Sequence, residues 1–233
     1  MTMKLAIAMA TYAREDGKTP FYLIRALDSV FAQEHQDFKI FLAGDDYRPR
    51  SELNNIVAQY PSEKIHLVHL NVAVEREKYK DDPEKLWNNG GVTAHNTALE
   101  EALAEGFVYI CKLDHDDYWL PRHLRVISET IEQTGADFVC TGAIVTNGKL
   151  PNIESRDYLI HFLPKAAGII HSTTCYNYRT IPIRPRDAGA LPSDYDKWKR
   201  MAQYIKDNNL KSYFINDFTC IWEPGTYERT KRN

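Results

Sequence analysis

The stretch Phe107-Val108-Tyr109-Ile110-Cys111-Lys112-Leu113 runs directly into Asp114-His115-Asp116-Asp117, and its reading decides the fold. A short, mostly apolar run closed by a polar break has the length and character of a strand inside a sheet. Held on both faces, such a strand delivers the acids that follow it to the carboxyl edge of the sheet, where open α/β sheets bind their ligands. Carboxylates this close repel one another unless a cation sits among them. Oxygen-only clusters suit Mg²⁺ or Mn²⁺ better than zinc, so a divalent metal is the simplest neutraliser. A calcium EF-hand is excluded, because Trp119 stands where that loop needs glycine and Arg125 where it needs its last glutamate.

Upstream, Lys4 to Ala10 reads as a strand and Arg14 to Pro20 as a loop, and Leu23, Leu27, Val30 and Phe31 then recur at helical spacing to about Glu34. Lys39 to Ala43 is a second strand closing on Gly44-Asp45-Asp46, Ser51 to Tyr60 a second helix, and Ile65 to about Asn71 a third strand. Strand, helix, strand, helix, strand in this order predicts a mostly parallel sheet with helices on its faces. The charged stretch Glu75 to Lys85 has no clear period and is expected to be a surface loop or frayed helix, ended by Trp87 to Gly91. Thr93 is the expected cap of a helix carrying Ala94, Ala98, Ala102 and Leu103, stopped by Gly106.

Downstream, Pro121 opens a helix with Leu124, Ile127 and Ile131 inward and Gly135 at its end, and Ala136 to Val145 follows as a strand. Lys149 to Pro164 reads as irregular, Gly168 to Tyr178 as a strand, Thr180 to Pro192 as a proline-bearing loop, Asp194 to Lys206 as a helix and Lys211 to Trp222 as a strand. With 233 residues, 43% hydrophobic and 26% charged, the chain has the size and composition of one globular domain. A formal charge of −3 supplies no basic excess for phosphate contacts, which argues against a nucleic-acid partner. Cys111, Cys140, Cys175 and Cys220 show no CxxC spacing and read as buried thiols. No apolar run reaches the roughly 20 residues of a membrane span and no cleavable secretory pattern opens the sequence. The expected location is cytoplasmic, with peripheral membrane association left open.

Three acidic sites, Asp45-Asp46, Asp114 to Asp117 and Asp194-Asp196, fall at the ends of expected elements and can converge on one cleft. Taken singly, aspartates in such loops also serve as helix caps. His66 and His69 face opposite sides of their strand and cannot share a metal. His115 is expected to pack locally, and His171 faces either core or cleft. No Gly-x-x-x-x-Gly-Lys loop, Gly-x-Gly-x-x-Gly turn or Gly-x-Ser-x-Gly elbow is present, so any phosphate is expected to be held through a metal, and acyl transfer has no evident nucleophile.

Ala8-Met9-Ala10-Thr11-Tyr12, Gly44-Asp45-Asp46, Asn89 to Ala98 and Leu113 to Pro121 together resemble, in order, the motifs of family 2 glycosyltransferases. The ordered resemblance covers about the first 125 residues, the Asp114-His115-Asp116 triplet matching that family's DXD motif. It implies a single GT-A domain over 1–233, with a Rossmann-like sheet, a nucleotide-sugar-binding half to about residue 120 and a smaller acceptor-side region beyond it. It also implies inverting transfer from a nucleotide-sugar donor, usually a UDP-sugar, to a glycan, polysaccharide or glycoconjugate, assisted by Mn²⁺ or Mg²⁺. Carried over by position, Thr11 and Tyr12 line the base pocket and Asp46 accepts a hydrogen bond from the base. Asp114 contacts the ribose or uracil side, Asp116 ligates the metal and Asp117 supports it. His95 stands where many members have an arginine that meets the diphosphate. Ser193 to Trp198 matches the segment that carries the family's base, which makes Asp194 the candidate base, and Glu223 is the best-placed late residue to complete the metal site.

Two rival readings remain at this stage. A sugar-nucleotide nucleotidyltransferase would use the metal but attack phosphorus, and the early basic, glycine-rich segment it usually needs is missing from Ala8 to Tyr12. A binding module for nucleotide-sugars or glycans would keep the pocket without turnover. Lys149 to Pro192 carries no motif that identifies donor sugar or acceptor.

Overall fold

The computed structural model describes residues 3–165 and 168–222. In chain order the elements are β1 (Leu5–Thr11), α1 (Thr19–Phe31), β2 (Phe38–Gly44), α2 (Arg50–Val57), β3 (Ile65–His69), α3 (Val74–Lys78), α4 (Pro83–Asn89), α5 (Val92–Ala104), β4 (Tyr109–Lys112), β5 (Tyr118–Trp119), α6 (His123–Thr134), β6 (Phe138–Val145), β7 (Gly148–Leu150), β8 (Leu159–His161), β9 (Thr174–Asn177), α7 (Ser193–Asp207) and β10 (Ser212–Ile221).

The strands form one mixed sheet in the order β3-β2-β1-β4-β9-β6-β10-β5, with β7 added beside β6 and β8 beside β10. β3, β2, β1 and β4 run parallel. β9 then sits antiparallel between β4 and β6, and β6 and β10 form a second parallel pair. The longer ladders are thus parallel, as the alternation of strands and helices predicts.

Residue alternation in β1 explains how helices cover both faces. Leu5, Ile7 and Met9 join Leu23, Leu27 and Val30 of α1, Leu53 of α2 and Ile127 of α6 in one buried cluster. Ala6, Ala8 and Ala10 turn the other way, against Ala94, Ala98 and Ala102 of α5. Alanine on both sides lets the helix approach the sheet closely, and α7 extends this second layer with Trp198, Met201 and Ile205. All four cysteines are buried and free.

Four expectations are corrected. The charged stretch after β3 is two short helices, α3 and α4, tied down by side-chain contacts that leave no periodic signature. Thr93 lies inside α5, whose start is formed by Gly91 in the left-handed region (φ 80°). The buried Glu75 carboxylate receives the Thr93 N–H at 3.2 Å and the Thr93 hydroxyl at 2.6 Å, an anion at the positive end of the helix. The strand expected from Gly168 is reduced to β9, preceded by a 3₁₀ turn at His171–Thr173, and the region expected to be irregular contributes β7 and β8.

Candidate active site

β1 has β2 on one side and β4 on the other, so the chain order reverses between β1 and β4. Ligands of open α/β sheets bind in the crevice at such a point, outside the carboxyl ends of the strands. A cavity of about 650 Å³ opens there, lined by Thr11 and Tyr12 at the end of β1, Asp45 after β2, Asp114, His115 and Asp116 after β4, and Asp194 at the start of α7. The three acidic sites read from the sequence therefore meet on one cleft.

The end of β1 is a fixed platform. Asp45 N–H donates to the Thr11 carbonyl at 2.7 Å, and the Thr19 hydroxyl donates to the Tyr12 carbonyl at 2.9 Å. Tyr12 packs edge-on to His115, with ring centroids 5.4 Å apart. On Tyr12 also lies the Arg76 guanidinium, 3.3 Å from the ring centroid, while Arg76 Nε donates to Asp45 Oδ2 at 3.1 Å. Burial raises the Asp45 carboxyl above its usual value against the opposing pull of Arg76, and Asp45 Oδ1 is buried with no hydrogen-bond partner. Asp46, the residue that the family resemblance singles out, has a left-handed backbone (φ 45°) and accepts from Arg48 Nε at 2.7 Å. It is not among the residues lining the cavity; Asp45 is.

The loop after β4 is bolted to the 3₁₀ turn before β9. Ser172 Oγ accepts the Asp114 N–H at 3.0 Å and donates to the buried Asp117 carboxylate, and the Trp119 indole N–H donates to the Ser172 carbonyl at 2.6 Å. Asp117 therefore braces the loop that carries Asp114 and Asp116. Asp114 Oδ1 lies 3.3 Å from His95 Nε2. Burial acts to raise the Asp114 carboxyl, but the His95 hydrogen bond and then the fields of His95, His171 and His115 hold it well below the ordinary carboxylate range. Asp116 keeps part of its carboxylate open to the cavity, with Arg14 Nη1 at 3.5 Å and Arg25 Nη2 donating to its backbone carbonyl at 2.7 Å.

The α7 acids separate by role. Asp194 lines the cavity and its carboxylate accepts the Tyr195 N–H at 2.7 Å. Asp196 is clamped by Arg186 at 2.9 Å and Arg200 at 2.7 Å. His171, which the sequence left between core and cleft, is half-buried and lines the cavity, its ring edge-on to both His95 and Trp198. Burial, with Lys197 nearby, pushes its pKa well below the usual value.

Four cations that the sequence reading passed over surround the acids. Arg14 lies in the loop after β1 and Arg76 in the five-residue α3, where no pattern marks them. Lys112 and Lys197 do carry a signal, a lone charge in an apolar strand and a lysine beside the Trp198, Met201 and Ile205 stripe. Both are fully buried with no hydrogen-bond partner for Nζ. Burial pushes Lys112 down to about 8 against the attraction of Asp114, and burial followed by repulsion from Lys112 pushes Lys197 well down. The acidic cluster is partly balanced by the protein itself through the arginines, Arg14 at Asp116 and Arg76 at Asp45.

Among the described residues no group of three or more His, Cys, Asp or Glu is arranged to hold a metal ion. That does not count against Mg²⁺ or Mn²⁺, which are commonly held by one or two carboxylates together with substrate phosphates, and Asp116 supplies one such carboxylate. The residues present fit an ion shared with a phosphate ligand. Glu223, the expected second ligand, lies outside the described residues.

The family described as Glycosyl transferase family 2 matches residues 84–188. An uncharacterized glycosyltransferase, R139, of Acanthamoeba polyphaga mimivirus is 30% identical over 232 residues, covering 94% of this chain and 93% of its own length. Among solved structures, Staphylococcus aureus TarS 1-349 in complex with UDP superposes with a TM-score of 0.71 at 15% identity, covering 98% of this chain and 63% of its own. The mannosyltransferase PcManGT from Pyrobaculum calidifontis, in complex with GDP-Man and Mn²⁺, gives 0.66 at 14% identity, with 100% and 60% covered. This chain therefore spans about six tenths of the length of these two solved chains, whose likeness is one of fold.

Proposed function

The chain belongs to glycosyl transferase family 2, and from that membership we propose that it is a metal-dependent, inverting glycosyltransferase. It moves a sugar from a nucleoside-diphosphate donor, a UDP-sugar, to a hydroxyl of a glycan or glycoconjugate. The observation that carries this reading is the meeting of Asp45, Asp114, Asp116 and Asp194 on one cavity at the carboxyl edge of the sheet.

In this reading the base lies against Tyr12 beside Thr11, and the buried, unpartnered Asp45 Oδ1 accepts the base N–H in the role that the resemblance gave to Asp46. Asp114, kept ionised by His95, accepts a ribose hydroxyl. Asp116 would hold Mn²⁺ or Mg²⁺ together with the donor's phosphate oxygens, with Glu223 as second candidate ligand, and such an ion offsets the negative charge that builds on a departing diphosphate. Arg14, beside Asp116, adds a cation on the same side. Asp194 takes the proton of the acceptor hydroxyl as that oxygen attacks the anomeric carbon from the face opposite the leaving group. The nucleotide-binding half is residues 1 to about 120, but α4 from that half also borders Asp194.

Calorimetric titration with UDP, GDP and dTDP, with and without Mn²⁺, tests this directly. The expected result is UDP binding that needs the metal and is lost in Asp116→Ala. Release of pyrophosphate instead of UDP during turnover would sink the glycosyl-transfer reading.

A further inference from the structure

β9 joins β4 through three register pairs, Tyr109 with Asn177, Ile110 with Tyr176 and Cys111 with Cys175. The Tyr178 N–H donates to the Val108 carbonyl at 3.0 Å, just outside the first of these pairs. In an antiparallel ladder that bond makes Tyr109 and Asn177 a non-hydrogen-bonded pair, and because the two kinds of pair alternate, Cys111 and Cys175 are one as well. Residues that face each other at such a site have Cα atoms about 4.5 Å apart and side chains on the same face of the sheet. That separation falls within the roughly 4.4–6.8 Å over which a disulfide joins two Cα atoms.

The side chains agree with the register. Cys111 and Cys175 lie in the same buried cluster, on the face covered by α1 and α6, and both are free thiols with no exposed surface. Burial first, and then a hydrogen bond with Cys111, push the Cys175 thiol well above its usual range. The other two cysteines are placed elsewhere. Cys140 belongs to the opposite face, among the residues packed on α5 and α7. Cys220 lies on β10, two strands from β9 across β6, and two strand spacings, roughly 9.5 Å, are more than a disulfide spans. Asp114 follows Cys111 and Ser172 precedes Cys175 within the same two segments, which the Asp114 N–H to Ser172 Oγ bond already joins at the cavity.

We propose that Cys111 and Cys175 are an oxidisable dithiol, a modification site whose intramolecular disulfide staples β4 to β9 next to the Asp114 loop. The oxidant is a peroxide. One sulfur, having lost its proton, attacks a peroxide oxygen and becomes a sulfenic acid as the O–O bond breaks and water leaves. The second sulfur then attacks the first, the S–OH bond breaks, and a second water carries off the remaining proton. Two thiols are oxidised and one hydrogen peroxide is reduced to two waters. Both sulfurs are shielded from solvent, so the reaction runs through transient opening of the strand pair and is slow in the native protein. The site stands independently of the transferase reading.

Peptide mapping tests it. The reduced full chain is incubated with hydrogen peroxide in a series of urea concentrations below the unfolding transition, remaining thiols are alkylated, and the protein is digested without reductant for mass spectrometry. The expected result is a peptide pair linking Cys111 to Cys175, formed faster as urea promotes opening, with Cys140 and Cys220 recovered outside any crosslink. The linked protein should unfold at a thermal midpoint about 5 °C or more above that of the reduced form, because the bond closes a long loop of the unfolded chain. Absence of the linked pair at every urea concentration, a link made through Cys140 or Cys220 instead, or a linked protein whose midpoint is unchanged or lowered would each overturn the proposal.

Discussion

At the ends of β1, β2 and β4 each cavity carboxylate has a partner, Asp45 with Arg76, Asp114 with His95 and Asp116 with Arg14, whereas the residues that α4 and the loop 185–192 turn to the cavity are proline, leucine, tryptophan and asparagine. The contrast separates two binding problems. A nucleoside diphosphate is multiply charged and must be met by fixed charges that are already balanced before it arrives. An uncharged sugar ring is held instead by shape, C–H packing and hydroxyl contacts. Asp194 lines the same cavity, and in the proposed reading it takes the proton of the acceptor hydroxyl as that oxygen attacks the anomeric carbon.

The largest effect that sharpens this division is expected from Asp194→Ala, which should lower kcat by about three orders of magnitude or more while leaving the UDP dissociation constant in place. An unchanged kcat would move the base elsewhere. Asp116→Ala comes next: UDP affinity measured with Mn²⁺ should fall by about 10- to 100-fold and the difference between Mn²⁺ and chelator should vanish. Asp45→Ala should weaken UDP binding about tenfold, the scale of one hydrogen bond to a charged group, and Asp46→Ala by less than about twofold. The reverse ranking would return the base contact to Asp46.

The smallest effect is one of pH. The Asp45 carboxyl is raised by burial, opposed by Arg76 and His95 and reinforced by Glu75, so it takes up a proton at higher pH than an exposed aspartate does. Its ionised form is the hydrogen-bond acceptor. UDP affinity is therefore expected to be full well above the raised value and to decline as pH falls through it, beginning above the ordinary carboxylate range near 3.8. In Asp45→Ala this part of the acid limb should disappear. A profile identical in parent and variant would break the link between Asp45 and the base.

The sequence made the acidic side of the cavity legible and the side of α4 and the loop 185–192 opaque, for a physical reason. Buried parallel strands must be apolar on both faces, so β1, β2 and β4 stand out as short apolar runs and the acids after them fall at one edge. The helices against these strands announce themselves by period, Leu23, Leu27 and Val30 on one side and Ala94, Ala98 and Ala102 on the other. What fixes Arg76 on Tyr12 or Asn89 on the loop 185–192 is contact between segments far apart in the chain, which leaves no local period. The same holds for Glu75, whose capping of α5 depends on where α3 ends up. Asp45 and Asp46 differ only in which way the turn after β2 rotates them, and their order in the sequence does not say. The family profile, matching residues 84–188, extends beyond the first 125 residues in which the motifs concentrate, and so takes in much of the region where patterns alone were silent.

The place of β9 between β4 and β6 bears on how the molecule is made. β4 ends at Lys112 and β6 at Val145, yet the strand that joins them is Thr174–Asn177. While the chain is being synthesised, each of those strands presents an edge with open N–H and C=O groups until that segment arrives. Pairings between segments this distant in sequence are also slow to form. The joining of β4 to β6, and with it the bolting of the Asp114 loop to Ser172, waits on a short segment that comes late.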